Sequence, residues 1–394
     1  MTKNLRELEQ LQQNLEYQNE TLKVFIADVL PLENRNEEDL KSRMLEVESL
    51  VNTYGGIVIL KHIQKRGLPD YKTYIGGGKL DEIMQEMKIS GANLLIFGNI
   101  LKPIQIHNIN EKLKTIGAKA WDRVDLILKI FEKNAKTMES RLQIELASIK
   151  YMGPRIFSMS EELGSQGSGG SKLSRGKGET NTEIMKRHLR ERELHIKRDL
   201  EHYKKVRAEH RKSRIKKGLN TVGIVGYTNV GKSSLMNILT GKGVLAEDKL
   251  FATLGTSVGK LYIENSYNET GEFIKNPEIL INDTIGFIRD LPPNLIDAFA
   301  STLEDSIESD LLLEVVDASD VKIEEKIKVV DDILVNIGAN QKKIYVFNKI
   351  DLISLEYLEE LKQRFAELNP IFISTSENIG IENLKSFFKE FLFK

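Results

Sequence analysis

Val222-Gly-Ile-Val-Gly226-Tyr227-Thr228-Asn229-Val230-Gly231-Lys232-Ser233 is the stretch on which the fold of this chain turns. An apolar run of strand character ends on Gly226, and Ser234–Leu239 then reads as the start of a helix. Between them the order Gly, four residues, Gly-Lys-Ser is the phosphate loop of nucleotide-binding α/β domains. Its chemistry follows from its backbone. Successive N–H groups from Gly226 to Ser234, with the positive end of the helix, form a concave cradle for anionic oxygens. Lys232 adds a charge that reaches the β- and γ-phosphates, and the hydroxyl of Ser233 is placed to ligate Mg²⁺. A second glycine run, Gly76-Gly77-Gly78-Lys79, also joins a strand to a helix, but it lacks this spacing and the hydroxyl residue, so it reads as a turn.

Downstream, Asp283-Thr284-Ile285-Gly286 follows the apolar strand Ile279–Asn282. At that distance from the phosphate loop, Asp283 is placed to hold the magnesium, directly or through water, and the N–H of Gly286 to meet a γ-phosphate. Asn348-Lys349-Ile350-Asp351 follows a further apolar strand. The two carboxylate oxygens of Asp351 match the N1–H and N2–H₂ donors of guanine, a pair that adenine lacks. Asn348 would brace the loop, Lys349 would lie under the base, and Ser374-Thr375-Ser376 would close the pocket with backbone N–H groups towards O6. Phe251-Ala252-Thr253-Leu254-Gly255 lies where a switch threonine orders only with a triphosphate. Thr253 is the favoured residue to meet Mg²⁺, with Thr256 and Ser257 as neighbouring candidates. Thr284, Ile285 and Phe287 belong to the second switch. Many GTPases place a glutamine after this glycine to orient the attacking water; Phe287 neither donates nor accepts. The expectation is GTP hydrolysis that is slow until a partner completes the site. Arg289 stands close in sequence, either as a participant or as a surface residue.

Upstream, the pattern sorts into an N-terminal α/β domain (1–135), a basic helical hairpin (136–217) and the nucleotide domain (218–394). A polar helix from Leu5 to about Glu20 precedes strand Leu22–Val29. Helix Glu37–Asn52, strand Ile57–Ile63, helix Lys79–Ile89, strand Leu94–Phe97, helix Pro103–Lys114 and strand Ala118–Trp121 then alternate, as in a parallel sheet. Trp121, the single tryptophan, reads as core. The nucleotide domain repeats the alternation, with strands Val222–Gly226, Val258–Ile263, Ile279–Asn282, Leu311–Val316, Ile344–Phe347 and Ile371–Ile373. In the middle, Met138, Leu142, Leu146 and Ile149 mark one apolar stripe. Met185, Leu189, Ile196, Leu200 and Tyr203 mark another, broken near Arg192, which suits an antiparallel hairpin. Ser158–Gly178 between them holds six glycines and six serines with Lys172, Arg175 and Lys177, a flexible basic loop by composition.

Charge is uneven. Net charge over 394 residues is −1, yet Lys186–Lys217 carries fourteen Lys/Arg against five Asp/Glu. Arg187, Arg190, Lys197, Lys204, Lys205, Arg211 and Arg214, with Lys172, Arg175 and Lys177, form the candidate RNA-binding set, since neutralising phosphates is the sequence-independent part of nucleic-acid affinity. His188, His195, His202 and His210 recur too far apart for a metal array and read as surface residues. The chain has no cysteine, which excludes disulfides, disfavours zinc and fits a reducing, cytoplasmic compartment. No apolar run approaches membrane-spanning length, and neither a lipidation signal nor a signal peptide is present.

Taken together, these residues resemble the HflX family of ribosome-associated GTPases. The resemblance rests on Asp283-Thr-Ile-Gly-Phe-Ile-Arg-Asp290-Leu-Pro292, Phe251–Leu254, Ala300-Ser-Thr-Leu-Glu304, Asp310-Leu-Leu-Leu and Val315-Val-Asp-Ala-Ser-Asp320. Upstream it rests on Gly76–Leu80, Asp122–Leu128, Arg141–Leu146 and Gly176-Lys-Gly-Glu-Thr180. It implies a GTPase that binds the large ribosomal subunit and its rRNA, splits stalled or idle 70S ribosomes, and hydrolyses GTP faster on the ribosome. It implies a hydrophobic residue at 287; the motifs themselves call for Mg²⁺ as cofactor, and the chain is expected to be a monomer. A GTP-gated rRNA-binding factor for subunit biogenesis or antibiotic protection, without splitting, shares the same motifs. Lys177, where the family has proline, Gly255, where an acidic residue is common, and Thr375, where alanine is usual, depart from the pattern.

Overall fold

The computed structural model describes residues 22–31, 37–135, 137–166, 181–241, 257–261, 266–267, 273–274, 278–284, 286–290, 292, 295 and 308–392. The expected helix Leu5–Glu20, the loop residues Lys172, Arg175 and Lys177, the switch residues Phe251, Ala252, Thr253, Leu254, Gly255 and Thr256, and Ile285 lie outside them. Contacts divide the chain into two compact units, Met1–Ile130 with Pro154–Lys177, and Phe131–Gly153 with Gly178–Lys394.

In the first unit β1 (Lys23–Pro31), α1 (Glu37–Tyr54), β2 (Ile57–Arg66), α2 (Gly77–Ser90), β3 (Leu94–Phe97), α3 (Pro103–Leu113) and β4 (Lys119–Trp121) alternate as the apolar pattern requires. The four strands are parallel in the order β2-β1-β3-β4. Phe25, Ala27, Leu95 and Phe97 face Leu80, Ile83, Met87, Ile109 and Leu113, forming one core. α4 (Arg123–Asn134) follows directly. Trp121 is only half-buried, its ring meeting the edge of Tyr54 at 5.5 Å, because β4 is a short edge strand with little sheet beyond it. A buried ionic group sits at the start of α4. The Arg155 guanidinium serves both Asp122 and Asp125, reaching the two oxygens of Asp125 at 3.1 Å, and Arg123 pairs with Glu46. Burial, and then the neighbouring Asp122 charge, pushes the Asp125 carboxyl up to about 7.

α5 (Met138–Gln166) carries Pro154 in its interior, and the boundary between the units falls at Gly153/Pro154. α5 runs to Gln166, so Ser158–Gln166 of the glycine- and serine-rich segment is helical, Gly164 included: Glu161-Glu162-Leu163 are good helix formers. α6 (Asn181–Lys216) packs Ile196, Leu200 and Tyr203 against Leu142, Leu146 and Ile149 of α5. The break in its stripe is an ion pair: Arg192 grips Glu145 with two bonds of 2.6 Å, and Arg207 pairs with Glu139. Residues 192 and 207 meet 145 and 139 in reversed order, so these segments run antiparallel.

The rest of the second unit is one six-stranded sheet in the order β12-β11-β10-β5-β9-β6, made of β5 (Asn220–Gly226), β6 (Ser257–Leu261), β9 (Ile279–Asp283), β10 (Leu311–Asp317), β11 (Lys343–Asn348) and β12 (Ile371–Phe372). β6 is antiparallel to β9 and the other pairings are parallel. β7 (Ser266–Tyr267) and β8 (Phe273–Ile274) form a separate hairpin ladder. The helices are α7 (Lys232–Thr240), α8 (Ile323–Asn336), α9 (Leu355–Arg364) and α10 (Ile381–Leu392). β5 and β10 are buried almost end to end, as expected for strands covered on both faces. Their carboxyl ends, with those of β9 and β11, carry every described motif of the candidate nucleotide site, where open α/β sheets bind ligands.

Candidate nucleotide site

β5 delivers Gly226, and the loop turns into α7 through Gly231 at φ 93°, where a Cβ would lie 2.3 Å from Asn348 Nδ2. Only glycine satisfies both conditions. Tyr227, Thr228 and Val230 are buried, Asn229 is exposed in the left-handed region, and Ser233 and Ser234 are half-buried in the first turn of α7. Lys232 is buried and donates to the Tyr227 carbonyl at 2.6 Å. Burial pulls its ammonium down to about 8, partly offset by the Asp283 charge. An arriving polyphosphate supplies the countercharge this lysine needs. Ser233 Oγ donates to Asp283 Oδ2 at 2.7 Å, which sets two hard oxygen ligands side by side at the edge of the cradle, a pairing that fits Mg²⁺.

Thr284 is buried and donates its hydroxyl to Ile224 O at 2.7 Å, so it anchors the strand end. Gly286 comes so close to the loop that a Cβ would stand 2.9 Å from Lys232 Nζ and from Thr228 Cγ2. The chain then pairs with the phosphate loop: Phe287 N donates to Gly226 O at 3.1 Å and Thr228 N to Phe287 O at 2.8 Å. This bridge turns the Phe287 side chain into the core among Val225, Leu312, Val330, Ile333 and Leu334. Phe287 therefore does not stand over the phosphates as an inert substitute for glutamine; its ring is a core residue. Arg289 is also buried. Its N–H donates to Tyr227 Oη at 3.0 Å and its guanidinium lies 3.6 Å from Glu325 of α8.

The base end is preassembled. Asn348 is fully buried, donating to Val230 O at 2.8 Å and accepting from Thr375 N at 3.0 Å. Asp351 accepts from Ser374 Oγ at 2.6 Å and from Ser376 Oγ at 3.0 Å. The Ser374 hydroxyl, chiefly, holds its carboxyl below the ordinary value. The carboxylate is thus kept ionised, as acceptance from two guanine donors requires. Lys349, at φ 66°, pairs with Asp317 at 2.8 Å, which fixes the aliphatic stem the base would stack upon. One expectation changes. The N–H groups of Ser374 and Thr375 are already engaged, by Ile379 O and by Asn348 Oδ1, and that of Glu377 bonds Ser374 Oγ.

Asp317 enters the sequence reading only within Val315–Asp320; its pairing with Lys349 is not anticipated there, although its place at the end of an apolar strand parallel to β11 is a usable signal. Tyr227 stands in the phosphate loop as expected; its ring also lies 4.8 Å from Lys326 Nζ of α8, a contact that the loop's spacing does not encode.

On α6, Arg187, Arg190, Lys197, Lys204, Lys205 and Arg211 are exposed and Arg214 is half-exposed. Lys197 pairs with Glu193 at 2.6 Å and Arg211 with Glu308 at 2.8 Å, so these two already have acidic neighbours. His188, His195, His202 and His210 are exposed, and the described residues contain no metal-binding cluster. No described helix is long and apolar enough to cross a membrane.

Comparison with known proteins matches three stretches of the chain to families. Residues 41–132 match the family described as GTP-binding GTPase N-terminal, residues 134–214 its Middle Region, and residues 221–349 the 50S ribosome-binding GTPase family. The chain is 40% identical over 350 residues to the GTPase HflX of Caldanaerobacter subterraneus subsp. tengcongensis, covering 89% of this chain and 77% of the relative. It is 37% identical over 355 residues to that of Escherichia coli, covering 89% and 78%. The crystal structure of SsGBP and GDP complex superposes with a TM-score of 0.52 at 27% identity, covering 94% of this chain and 98% of that one. The α/β fold, the phosphate loop and relatives of this likeness place the chain in one family: it belongs to the HflX GTPases.

Proposed function

We propose that this protein is a GTP hydrolase that docks on the large ribosomal subunit, has its hydrolysis stimulated there, and splits 70S particles into subunits. The observation that carries the GTP reading is the Asp351 carboxylate, braced by Ser374 and Ser376 and joined through Asn348 to the phosphate loop. Gly226–Ser234 would cradle the phosphates, with Gly286 at the γ-position. Ser233, Asp283 and Thr253 would hold Mg²⁺, which when bound supplies electrostatic stabilisation to the phosphoryl oxygens. Asn348, Lys349, Asp351 and Ser374–Ser376 would select guanine.

The burial of Phe287 and Arg289 supports a slow intrinsic rate, because neither side chain reaches the reaction centre to orient water or to stabilise charge. The cationic face of α6 supports rRNA as the contacted surface, with Lys172, Arg175 and Lys177 extending it. We take the active species as a monomer in the cytoplasm. The test is sedimentation of 70S ribosomes with the full chain and a non-hydrolysable GTP analogue. Subunits appearing in proportion to bound protein support splitting. Intact 70S particles carrying the protein would leave the rRNA-binding, biogenesis or protection reading in its place.

A further inference from the structure

The spacing of a phosphate loop fixes Gly226, Gly231, Lys232 and Ser233 and leaves position 227 open. Here a tyrosine fills it, and the side chain is buried. Lys326 Nζ of α8 stands 4.8 Å from the ring centroid, and Lys326 is itself paired with Asp320, so the ring is held from the far side. A buried tyrosine hydroxyl needs a hydrogen-bond partner. Tyr227 Oη accepts from Arg289 N at 3.0 Å, so the tip of the side chain reaches the main chain three residues beyond Gly286.

That segment is also joined to the loop at Phe287. Phe287 N donates to Gly226 O at 3.1 Å and Thr228 N to Phe287 O at 2.8 Å. Bonds gathered at one residue make a pivot. Gly286 lies on one side of it along the chain and Arg289 on the other, so a hold at Arg289 also limits how far Gly286 can tilt. Asp290 follows at φ 57°, uncommon for a residue with a side chain, so the hold sits just before a sharp bend. The carbonyl of the same tyrosine accepts from Lys232 Nζ at 2.6 Å, and a Cβ on Gly286 would stand 2.9 Å from that Nζ. Both ends of Tyr227 thus act on groups assigned to the terminal phosphate.

We propose that Tyr227 is a positioning residue for triphosphate recognition. Its hydroxyl holds Gly286–Asp290 so that the Gly286 N–H is aimed at the γ-position before nucleotide arrives, and ordering that segment does not then weaken GTP binding. GDP, which has no γ-phosphate, gains nothing from it. The inference rests on the reading of Gly286 as the γ-phosphate donor.

Tyr227→Phe is the test, since phenylalanine keeps the ring and the main-chain bonds and lacks only the hydroxyl. Affinities of the full chain for GDP and for a non-hydrolysable GTP analogue are measured by calorimetry. The analogue should bind about five- to tenfold more weakly, the loss of one hydrogen bond, and GDP should change by less than about twofold. The Arg289 amide should exchange about tenfold faster while the Thr228 amide keeps its protection. Equal losses for the two nucleotides, no loss for either, or an Arg289 amide that exchanges as before overturns the proposal. Gly286→Ala separates it from the reading beneath. An analogue-to-GDP affinity ratio that falls in Gly286→Ala but not in Tyr227→Phe overturns the role of Tyr227 and keeps the γ-phosphate donor. A ratio unchanged in Gly286→Ala overturns both.

Discussion

Asn348 Nδ2 donates to the backbone oxygen of Val230 at 2.8 Å, so the residue opening the base-recognition loop holds the phosphate loop in place. Its own oxygen accepts from Thr375 N, and its burial means neither bond is replaced by water when the side chain is removed. Asn348→Ala should therefore weaken GTP and GDP alike, by about 2 kcal/mol or roughly thirtyfold. Calorimetric titration of both nucleotides checks this. A loss confined to GTP would place the defect at the γ-phosphate and contradict the bracing role.

Asp351 serves as a paired acceptor. Asp351→Asn replaces one of the two acceptor oxygens with an amide donor that faces a base donor, so GTP affinity should fall by several kcal/mol, on the order of a thousandfold. Xanthosine triphosphate, whose base presents an acceptor at position 2, should lose far less or gain. Competition binding with the two nucleotides gives the answer.

Phe287 points into the core, so supplying a glutamine there does not supply a catalytic glutamine. Phe287→Gln should destabilise the second unit by about 3 kcal/mol or more, through the missing aromatic volume and a buried amide. GTP turnover without ribosomes should not rise. A raised turnover in the variant would show that the side chain reaches the water, contrary to the packing described.

The Asp122–Arg155–Asp125 group makes a pH prediction. The Asp125 carboxyl titrates near 7 in the fold against about 3.9 for a free side chain. Its folded value is raised, so its contribution is complete below about pH 4 and is lost as pH rises through 7. Between pH 5 and 8 the first unit should weaken, by at most about 1.4 kcal/mol per pH unit. Asp125→Asn should flatten that slope, measured by hydrogen exchange of the Leu94–Phe97 amides across the range.

Charge removal on α6 should act through salt. Replacing Arg187, Arg190, Lys204 and Lys205 with alanine should weaken binding to large subunits. It should also make the dependence of log K on log salt shallower, by about one for each phosphate that is no longer neutralised. Retained affinity with an unchanged slope would move the RNA-binding surface elsewhere.

Much of this was legible beforehand because the deciding signals are local. Short, largely apolar runs such as Leu94–Phe97 and Leu311–Val316, bounded by turn residues, fit buried strands, and Gly226–Ser233 states its own geometry through spacing. What escaped depends on long-range pairing. The inward turn of Phe287 follows from its bridge to Tyr227, which no local pattern encodes. The N–H groups of Ser374 and Thr375 are engaged by Ile379 and Asn348, partners set by the fold of the whole loop. α4 went unread because it follows β4 after a single residue, and glycine content hid the helical reach of α5 to Gln166.

The bridge between Phe287 and the phosphate loop carries one more meaning. A residue that belongs to the interior cannot also serve as a trigger, so the fold has given that position to permanence. On the proposed reading, timekeeping then lies outside the chain: the protein holds a loaded clock, and the surface on which it lands decides when the clock starts.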